Sequence, residues 1–379
     1  MLPQGDIMRV LHAPVNVGNH PWVLSRHERA LGARSDLVVL YGTWLDYPAD
    51  RFLSQTPTRG WYPRLKQSWF GLKSVFDYDV MHYYFGQSFM AWEPARRFPG
   101  RFLDLKLAHA LGRKVFMTLQ GCDVRNSGCN STRNEITMCH LGQCKFAQTC
   151  RTTEDPKRRD LVQKILPYCH RVFVLNPDLI HDVPGAVFLP YASVDVEPIE
   201  PTWPRTDGPI RLVHAPTSET IKGTPFLLAA IDKLKQRWPI ELTLIRGVPH
   251  PEAMKMYRQA DLVIDQLLAG WYGGFAVETM AMGKPVACYL RESDLCHIPE
   301  AMRADLPLPR LSLPTLEADL EGLFRRRHQW PEWGYRARQY VLRWHHPRRI
   351  AEAMLQAYRH PQSLFDLASI SGSPVRCVA

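Results

Sequence analysis

The segment Gly270-Trp-Tyr-Gly-Gly-Phe-Ala-Val-Glu-Thr-Met-Ala-Met-Gly-Lys-Pro-Val286 decides the fold of the second half of the sequence. Gly273 and Gly274 let the backbone approach a ligand, and a helix is predicted to begin at this glycine pair. Its first turn directs amide groups and the positive end of the helix dipole toward any group in front of it. Gly283 and Pro285 end the helix and lead into the next strand. The segment therefore predicts an anion site that a diphosphate would fit.

Glu278 lies one turn inside this predicted helix. A carboxylate at that place can accept hydrogen bonds from the two vicinal hydroxyls of a ribose. The alternative is an ordinary glycine-capped loop that leads into a core helix, whose packing face would be formed by Ala276, Val277, Met280 and Ala281.

Apolar and β-branched runs alternate with amphipathic, helix-length segments along the chain, a pattern typical of parallel sheets covered by helices. Strands are predicted at 8–12, 36–41, 80–84, 114–119, 172–175 and 186–189, and again at 210–214, 241–246, 262–265 and 285–289. Helices are expected at 224–237, 251–260, 275–282 and 347–358. The proline-rich stretch 198–209 separates the two series. The pattern predicts an α/β protein with two Rossmann-like domains.

The domain boundaries follow from these patterns. We assign 1–195 to an N-terminal domain with a cysteine-rich insert at 122–150, 196–345 to a C-terminal domain, 346–360 to a C-terminal helix and 361–379 to a tail.

Composition narrows the class of protein. The chain has 379 residues, of which 45% are hydrophobic and 22% charged, as in globular proteins of more than one domain. No apolar run approaches the ~20 residues of a membrane helix. Residues 1–8 lack the basic and apolar pattern of a secretory signal, so we expect a cytoplasmic protein. The net charge of +10 suits a nucleotide diphosphate or a lipid phosphate surface. The sequence lacks nucleic-acid-binding signatures, so no nucleic-acid partner is expected.

The segment 270–286 resembles the donor-site signature of retaining glycosyltransferase family four: Glu, seven residues, Glu, Ala, Met, Ala, any residue, Gly, any residue, Pro, Val. Glu278 matches the second glutamate, whereas the first falls on Gly270. The resemblance leaves Asp265, Gln266 or the amides near Gly273 to contact the transferred sugar. The helix start, Gly273, Gly274 and Phe275, is implied to bind the donor.

This resemblance implies a GT-B fold, in which two Rossmann-like domains have parallel sheets facing a central cleft. It also implies transfer of a sugar, with retention, from a UDP- or GDP-type donor in the C-terminal domain to a glycan or lipid-linked acceptor in the N-terminal domain. A catalytic metal is not expected. Two rivals stay open: a catalytically silent protein that binds sugar nucleotides, and a nucleotide-sugar epimerase of the same fold.

Two further segments resemble the family. In the segment 214–224, Lys222 lies where the family places a lysine against the donor pyrophosphate, and Thr217 replaces the usual arginine. We therefore expect Arg246 to supply the missing charge, with Lys222, in catalysis. The alternatives are a solvated lysine and a surface ion pair. The segment 188–195 resembles the interdomain turn and places a hinge near residue 195.

The acceptor is expected at the loops that follow the N-terminal strands. Gly18 frees the backbone of the loop 16–20, which could reach sugar hydroxyls or the donor phosphate, so Gly18 is expected to help bind the donor. His20 at the end of this loop could orient the acceptor. Asp123 in the loop 120–125 is a second candidate for that role, and Gln120 stands where the family carries a histidine. The alternatives are a surface imidazole at His20 and a loop-capping carboxylate at Asp123.

Four cysteines, Cys129, Cys139, Cys144 and Cys150, are separated by nine, four and five residues. Such density in a cytoplasmic chain suggests a structural zinc site. The spacing is not that of paired knuckles, so an iron–sulfur cluster, redox disulfides and unliganded thiols stay open.

The stretch Arg59 to Phe76 interleaves basic and aromatic residues. It predicts peripheral contact with a membrane, at its inner face, where a lipid-linked acceptor would be met. The alternative is a connecting helix whose aromatic side chains face the core.

Overall fold

The computed structural model describes residues 7–57, 60–91, 100–365, 367 and 371. The chain forms two compact units. The first comprises Met1–Arg125, Pro156–Val194 and Pro347–Ile370, and the second Asn126–Asp155, Asp195–His346 and Ser371–Ala379. Each unit contains one sheet whose strands are all paired in parallel, so the predicted α/β class with two parallel sheets is confirmed.

The first sheet has seven strands in the order β3-β2-β1-β4-β5-β6-β7, and the second has four in the order β11-β10-β8-β9. The strands are β1 (Arg9–Ala13), β2 (Arg34–Tyr41), β3 (Arg51–Ser54), β4 (Val80–Tyr84), β5 (Lys114–Leu119), β6 (Arg171–Val174), β7 (Val187–Phe188), β8 (Ile210–His214), β9 (Ile240–Leu244), β10 (Leu262–Ile264) and β11 (Val286–Ala287).

In chain order the helices are α1 (His20–Ala30), α2 (Trp61–Asp77), α3 (Leu103–Ala110), α4 (Ser127–Arg133), α5 (Ala147–Thr149), α6 (Asp155–Lys164), α7 (Glu219–Lys222), α8 (Thr224–Leu234), α9 (His250–Tyr257), α10 (Gly274–Ala281), α11 (Glu300–Ala304), α12 (Leu316–Arg325), α13 (Trp330–Trp344) and α14 (Pro347–Arg359). Among the described helices, none combines the length and the apolar character needed to cross a bilayer.

The central strands of both sheets are largely buried on both faces, as expected for parallel strands with helices on either side. All five residues of β4 are buried, and its register places Met81 beside Leu11 of β1. Helix α14 has one apolar face, on which Ile350, Met354 and Tyr358 lie four residues apart and are fully buried. Helix α14 packs against α1, so the end of the described chain completes the first unit.

The strand predicted at 285–289 is much shorter than expected. Only Val286 and Ala287 pair with β10, whereas Cys288 forms an isolated bridge with Arg310. Proline has no N–H to donate to a ladder, so Pro285 cannot extend the pairing in the other direction.

The core-facing alternative for the aromatic residues of α2 is wrong for most of them. Trp61, Tyr62, Trp69 and Phe76 are exposed, and only Phe70 packs against the core of the first unit. The helix instead buries its small and polar residues Gln67, Ser68, Gly71 and Ser74, together with Val75. Arg59, the first residue of the predicted membrane segment, lies outside the described residues.

Candidate functional site

The topology of the second sheet marks a place for a ligand. Strands β8 and β10 are parallel neighbours, but the chain moves outward from them in opposite directions, to β9 on one side and β11 on the other. In open parallel sheets, ligands bind beyond the carboxyl ends of two such strands. The segments that follow these strands are 215–218 and 265–273.

The His214 side chain fixes the position of the carboxyl end of β8 through two hydrogen bonds. Its Nδ1 donates to the carbonyl oxygen of Ile264 at 2.7 Å, and its Nε2 lies 2.8 Å from the Thr224 hydroxyl. Burial is the main cause that lowers the pKa of His214, to about 4. The imidazole is therefore neutral near pH 7, and it joins β8, β10 and the start of α8.

A buried lysine and a buried carboxylate meet at this edge of the sheet. Lys222 Nζ donates to Asp265 Oδ1 at 2.7 Å, and the Gly273 amide donates to Asp265 Oδ2 at 2.8 Å. The Lys222 ammonium also lies 5.1 Å from the ring centre of Phe275, a cation–π contact. With 8% of its surface exposed, Lys222 is not the solvated lysine of the alternative interpretation.

Helix α10 begins at this cluster, at Gly274. The N–H groups in the first turn of a helix have no acceptor inside the helix, and the dipole adds partial positive charge there. Lys222 has three N–H groups, of which Asp265 takes one. The geometry therefore offers both a cation and amide donors to an anion.

The loop before α10 is held rigidly. Tyr272 is fully buried, and its hydroxyl lies 2.8 Å from the Tyr340 hydroxyl and 2.8 Å from His345 Nε2. Gln266 donates to the carbonyl oxygen of Trp271 at 2.9 Å. These bonds set the conformation of the loop before any ligand arrives.

Glu278 is paired with a histidine that sequence reasoning missed. His250, the first residue of α9, donates from Nε2 to Glu278 Oε1 at 2.8 Å. Burial alone would lower the pKa of His250, but the Glu278 carboxylate outweighs it and raises that pKa. Glu278 is only 3% exposed, and one histidine bond leaves a carboxylate further lone pairs for ligand hydroxyls.

The raised pKa makes the His250 contribution to stability dependent on pH. Because the folded-state pKa exceeds the unfolded one, the contribution is present below about pH 6.5 and is lost as pH rises through the folded-state value. We expect His250→Asn to lower the free energy of unfolding by on the order of 1 kcal/mol more at low than at high pH. Urea denaturation of both proteins at about pH 5.5 and about pH 9 measures this, and an equal loss at both would contradict the pair.

Gly270 cannot be replaced by the glutamate of the family signature. Its φ is +80°, and a Cβ there would lie 2.7 Å from Nη1 and 2.9 Å from Cβ of Arg291. Arg291 is buried, and its guanidinium donates to Asp294 and to the carbonyl oxygen of Ile136. The space beside residue 270 is therefore filled by an arginine that is already engaged.

The segment 126–155, which contains the four cysteines, belongs to the second unit. Met138 and Cys139 share a small buried cluster with Leu268 and Ala269. At its start, Asn126 caps α4 through the Cys129 amide at 3.0 Å. The segment thus covers the residues just before Gly270.

The four cysteines differ in their exposure to solvent. Cys129 is exposed, Cys139 is buried, and Cys144 and Cys150 are partly buried. In the part of the chain that the structure describes, no group of three or more His, Cys, Asp or Glu side chains could hold a metal ion. Zinc at this segment stays a prediction made from the sequence.

Arg246 and Thr217 lie near the same edge but are not part of the cluster. Arg246 follows β9 and forms a two-point ion pair with Glu219, at 2.9 and 3.1 Å, on the surface. Thr217 is exposed in the segment after β8. Among the described residues, no hydrogen bond or ion pair joins Arg246 to Lys222 or Asp265. Arg246 therefore forms the surface ion pair of the alternative interpretation.

The loop after β1 contains buried polar oxygens. Gly18 and Asn19 have positive φ, which turns the chain into α1. Asn16 donates to Pro48 O at 2.9 Å and Asn19 to Ser193 O at 3.3 Å. Within the described part of the chain, the Oδ1 atoms of both asparagines are buried without a hydrogen-bond donor. These two oxygens are closed to solvent in the described chain.

His20 and Asp123 hold this end of the first unit together. His20 is fully buried, so the surface-imidazole alternative is wrong, and its Nδ1 accepts the Ala192 amide at 2.9 Å. Asp123 accepts the amides of Gln120 and Gly121 at 2.9 and 2.6 Å, as a loop-capping residue does. Both side chains act on the backbone.

A network of buried polar side chains crosses the first unit, and sequence reasoning missed this network. His12 donates to Glu28 at 2.8 Å and lies 2.7 Å from the Tyr84 hydroxyl. His82 contacts Tyr358 of α14 at 2.6 Å and stacks on Tyr84, with ring centres 4.5 Å apart. This network of side chains joins α14 to strands β1 and β4.

Comparisons with known proteins agree with this architecture. No protein-family model matches the chain, and no curated protein matches its sequence. Among solved structures, sucrose-phosphate synthase from Thermosynechococcus elongatus has a TM-score of 0.58 at 14% identity, covering 93% of this chain and 98% of its own. An α-glucosyltransferase solved with UDP and a 13-mer DNA has a TM-score of 0.51 at 12% identity, over 89% and 95%.

A mutant of S. aureus TarM, solved with Fondaparinux, α-GlcNAc-glycerol and UDP, has a TM-score of 0.51 at 13% identity. It aligns over 78% of this chain and 59% of TarM. These likenesses show that the chain has the GT-B fold, which it shares with glycosyltransferases.

Proposed function

We propose that the chain is a glycosyltransferase that moves a sugar from a UDP- or GDP-type donor to a glycan or lipid-linked acceptor, with retention at the anomeric carbon. The observation that carries this proposal is the meeting of Lys222, Asp265 and the start of α10 at the switch point of the second sheet. Nucleotide-bound glycosyltransferases of the same fold support it. Retention rests on the resemblance of the segment 270–286 to the family signature.

In the proposed complex, the diphosphate lies at the start of α10. Lys222 donates to a phosphate oxygen while Asp265 keeps its position, and the amides of the first turn donate to the same group. Negative charge grows on the diphosphate as its bond to the anomeric carbon breaks. Donors fixed before the reaction stabilise that charge without reorganisation. The lysine and the helix supply the positive charge, so the proposal needs no catalytic metal.

In the proposed reaction, the departing phosphate acts as the base for the acceptor hydroxyl. The acceptor oxygen bonds to the anomeric carbon, and its proton passes to the departing phosphate oxygen. The protein is therefore required to orient the acceptor more than to remove its proton. We propose that the loop 16–20 of the first unit, which contains Asn16 and Asn19, orients its hydroxyls. His20 and Asp123 would act through the loops that they hold.

Glu278 is proposed to bind the ribose of the donor. Its carboxylate is fixed by His250 and lies one turn inside the helix that receives the diphosphate. We expect Glu278→Gln to weaken the binding of UDP or GDP by about 2 kcal/mol, because a hydrogen bond to a charged group becomes one to a neutral amide. Isothermal titration calorimetry measures this.

Glu252→Gln is the matched control, since Glu252 is an exposed carboxylate on α9 that pairs only with Lys255 among the described residues. We expect it to bind nucleotide as the wild type does. Unchanged affinity in Glu278→Gln would refute the ribose contact. If the protein binds nucleotide but releases no nucleotide from a sugar nucleotide, whichever acceptor is offered, it is the catalytically silent binding protein instead.

A further inference from the structure

The outer face of α2 carries large apolar side chains that the first unit leaves uncovered. The exposed fractions are 73% for Trp61, 69% for Tyr62, 57% for Leu65, 70% for Trp69 and 59% for Phe76. The rest of the helix is anchored, because Val75 is fully buried and Phe70 packs on the core. The helix therefore has a fixed orientation, and its exposed residues form a defined surface.

These residues form one stripe. At 3.6 residues per turn, positions 61, 62, 65, 69 and 76 fall within an arc of roughly 100°. Lys66 and Lys73 are exposed and project just beside this arc. Lys73 pairs weakly with Asp77, at 3.9 Å with both side chains more than half exposed, so its charge stays available to an anion.

We propose that this stripe of α2 binds the surface of a bilayer that contains anionic lipids. Tryptophan and tyrosine favour the boundary between headgroups and acyl chains, where an apolar ring and a polar atom are both satisfied. Lysines beside such a stripe are attracted to anionic headgroups. A helix that lies in the interface with its apolar face down requires this combination of a broad apolar arc and flanking cations.

The inference goes beyond sugar transfer and does not depend on it. It assigns a function to a helix that neither the cluster around Lys222 nor the loops proposed for the acceptor use. The apolar stripe supplies most of the binding energy, and the lysines supply the preference for negative charge.

Co-sedimentation with vesicles tests the proposal on the full chain. One vesicle is phosphatidylcholine alone, and the other mixes phosphatidylcholine and phosphatidylglycerol in equal parts. We expect the wild type to bind the mixed vesicle and to bind the neutral one much more weakly. Trp61→Ser with Trp69→Ser should lower binding at least about tenfold, because two large side chains leave the interface. Lys66→Gln with Lys73→Gln should lower it by about fivefold per lysine on anionic vesicles only.

Trp44→Ser is the matched control, since Trp44 is 53% exposed in the same unit but lies outside the stripe. It should bind vesicles as the wild type does. The proposal is overturned if the wild type binds neither vesicle, or if the control loses as much binding as the stripe variant. It is also overturned if sedimentation velocity shows a dimer that the stripe variant breaks, because the stripe would then face a second copy of the chain.

Circular dichroism confirms that each variant is folded, and nucleotide binding, which the stripe does not affect, should be unchanged.

Discussion

Replacing Lys222 by alanine should lower kcat/KM for sugar transfer roughly 100- to 1000-fold, the range seen when one preorganised donor to a developing negative charge is removed. The ammonium lies between the Asp265 carboxylate and the start of α10, and Arg246 is engaged on the surface by Glu219. No other lysine or arginine of the described chain contacts Asp265, so the loss should not be compensated. Steady-state kinetics with the best donor and acceptor pair measures the change.

Lys222→Ala alone also leaves Asp265 buried without its counter-ion, and breaking a buried pair costs about 3–5 kcal/mol of stability. The double variant Lys222→Ala with Asp265→Asn removes that charge, so it should recover much of the stability but not the activity. Lys233→Ala is the control for a surface lysine, because Lys233 is 70% exposed. Recovery of activity in the double variant would mean that Lys222 serves folding and not catalysis.

Replacing Gly270 by the glutamate of the family signature should lower the stability of the protein. Gly270→Glu places a side chain at φ +80° and within 2.9 Å of Arg291. The backbone conformation costs about 1–2 kcal/mol and overpacking another 1–3, so we expect a loss of about 2–5 kcal/mol in the free energy of unfolding. The displaced Arg291 would also release Ile136 of the cysteine-bearing segment.

Chemical denaturation measures this loss, and Gly208→Ala separates its two causes. Gly208 also has a positive φ, +66°, but a Cβ there meets nothing within 4 Å. It should lose only the backbone part, about 1–2 kcal/mol. If Gly270→Glu is as stable as the wild type, the space beside residue 270 is not closed in solution.

Local patterns predicted most strands of the fold, but they gave bounds for only four of the fourteen described helices. The strands at 80–84, 114–119 and 210–214 match the structure at both ends, and α10 is displaced by a single residue. Buried parallel strands are continuous apolar runs, so their limits are visible in the sequence. The glycine pair likewise marks the start of α10. Strand β3 and the details of the loops carry no comparable pattern, and the prediction omitted β3.

Contacts between distant residues could not be predicted. His250 meets Glu278 across 28 positions, and Tyr358 meets His82 across 276. Arg291 fills the space beside Gly270. This contact was not predictable, because both residues lie in irregular segments whose paths depend on the packing around them. The side of α2 that faces solvent was also undetermined, because an apolar arc of a helix commonly packs against a core and periodicity does not show that this arc is exposed.

Crystallising the protein with UDP and with GDP tests the central proposal most directly. We expect one nucleotide bound to the second unit, its diphosphate within hydrogen-bond distance of Lys222 Nζ and of the first-turn amides of α10, and its ribose hydroxyls on Glu278. A nucleotide bound elsewhere, with Lys222 and Glu278 still paired only to Asp265 and His250, would contradict it.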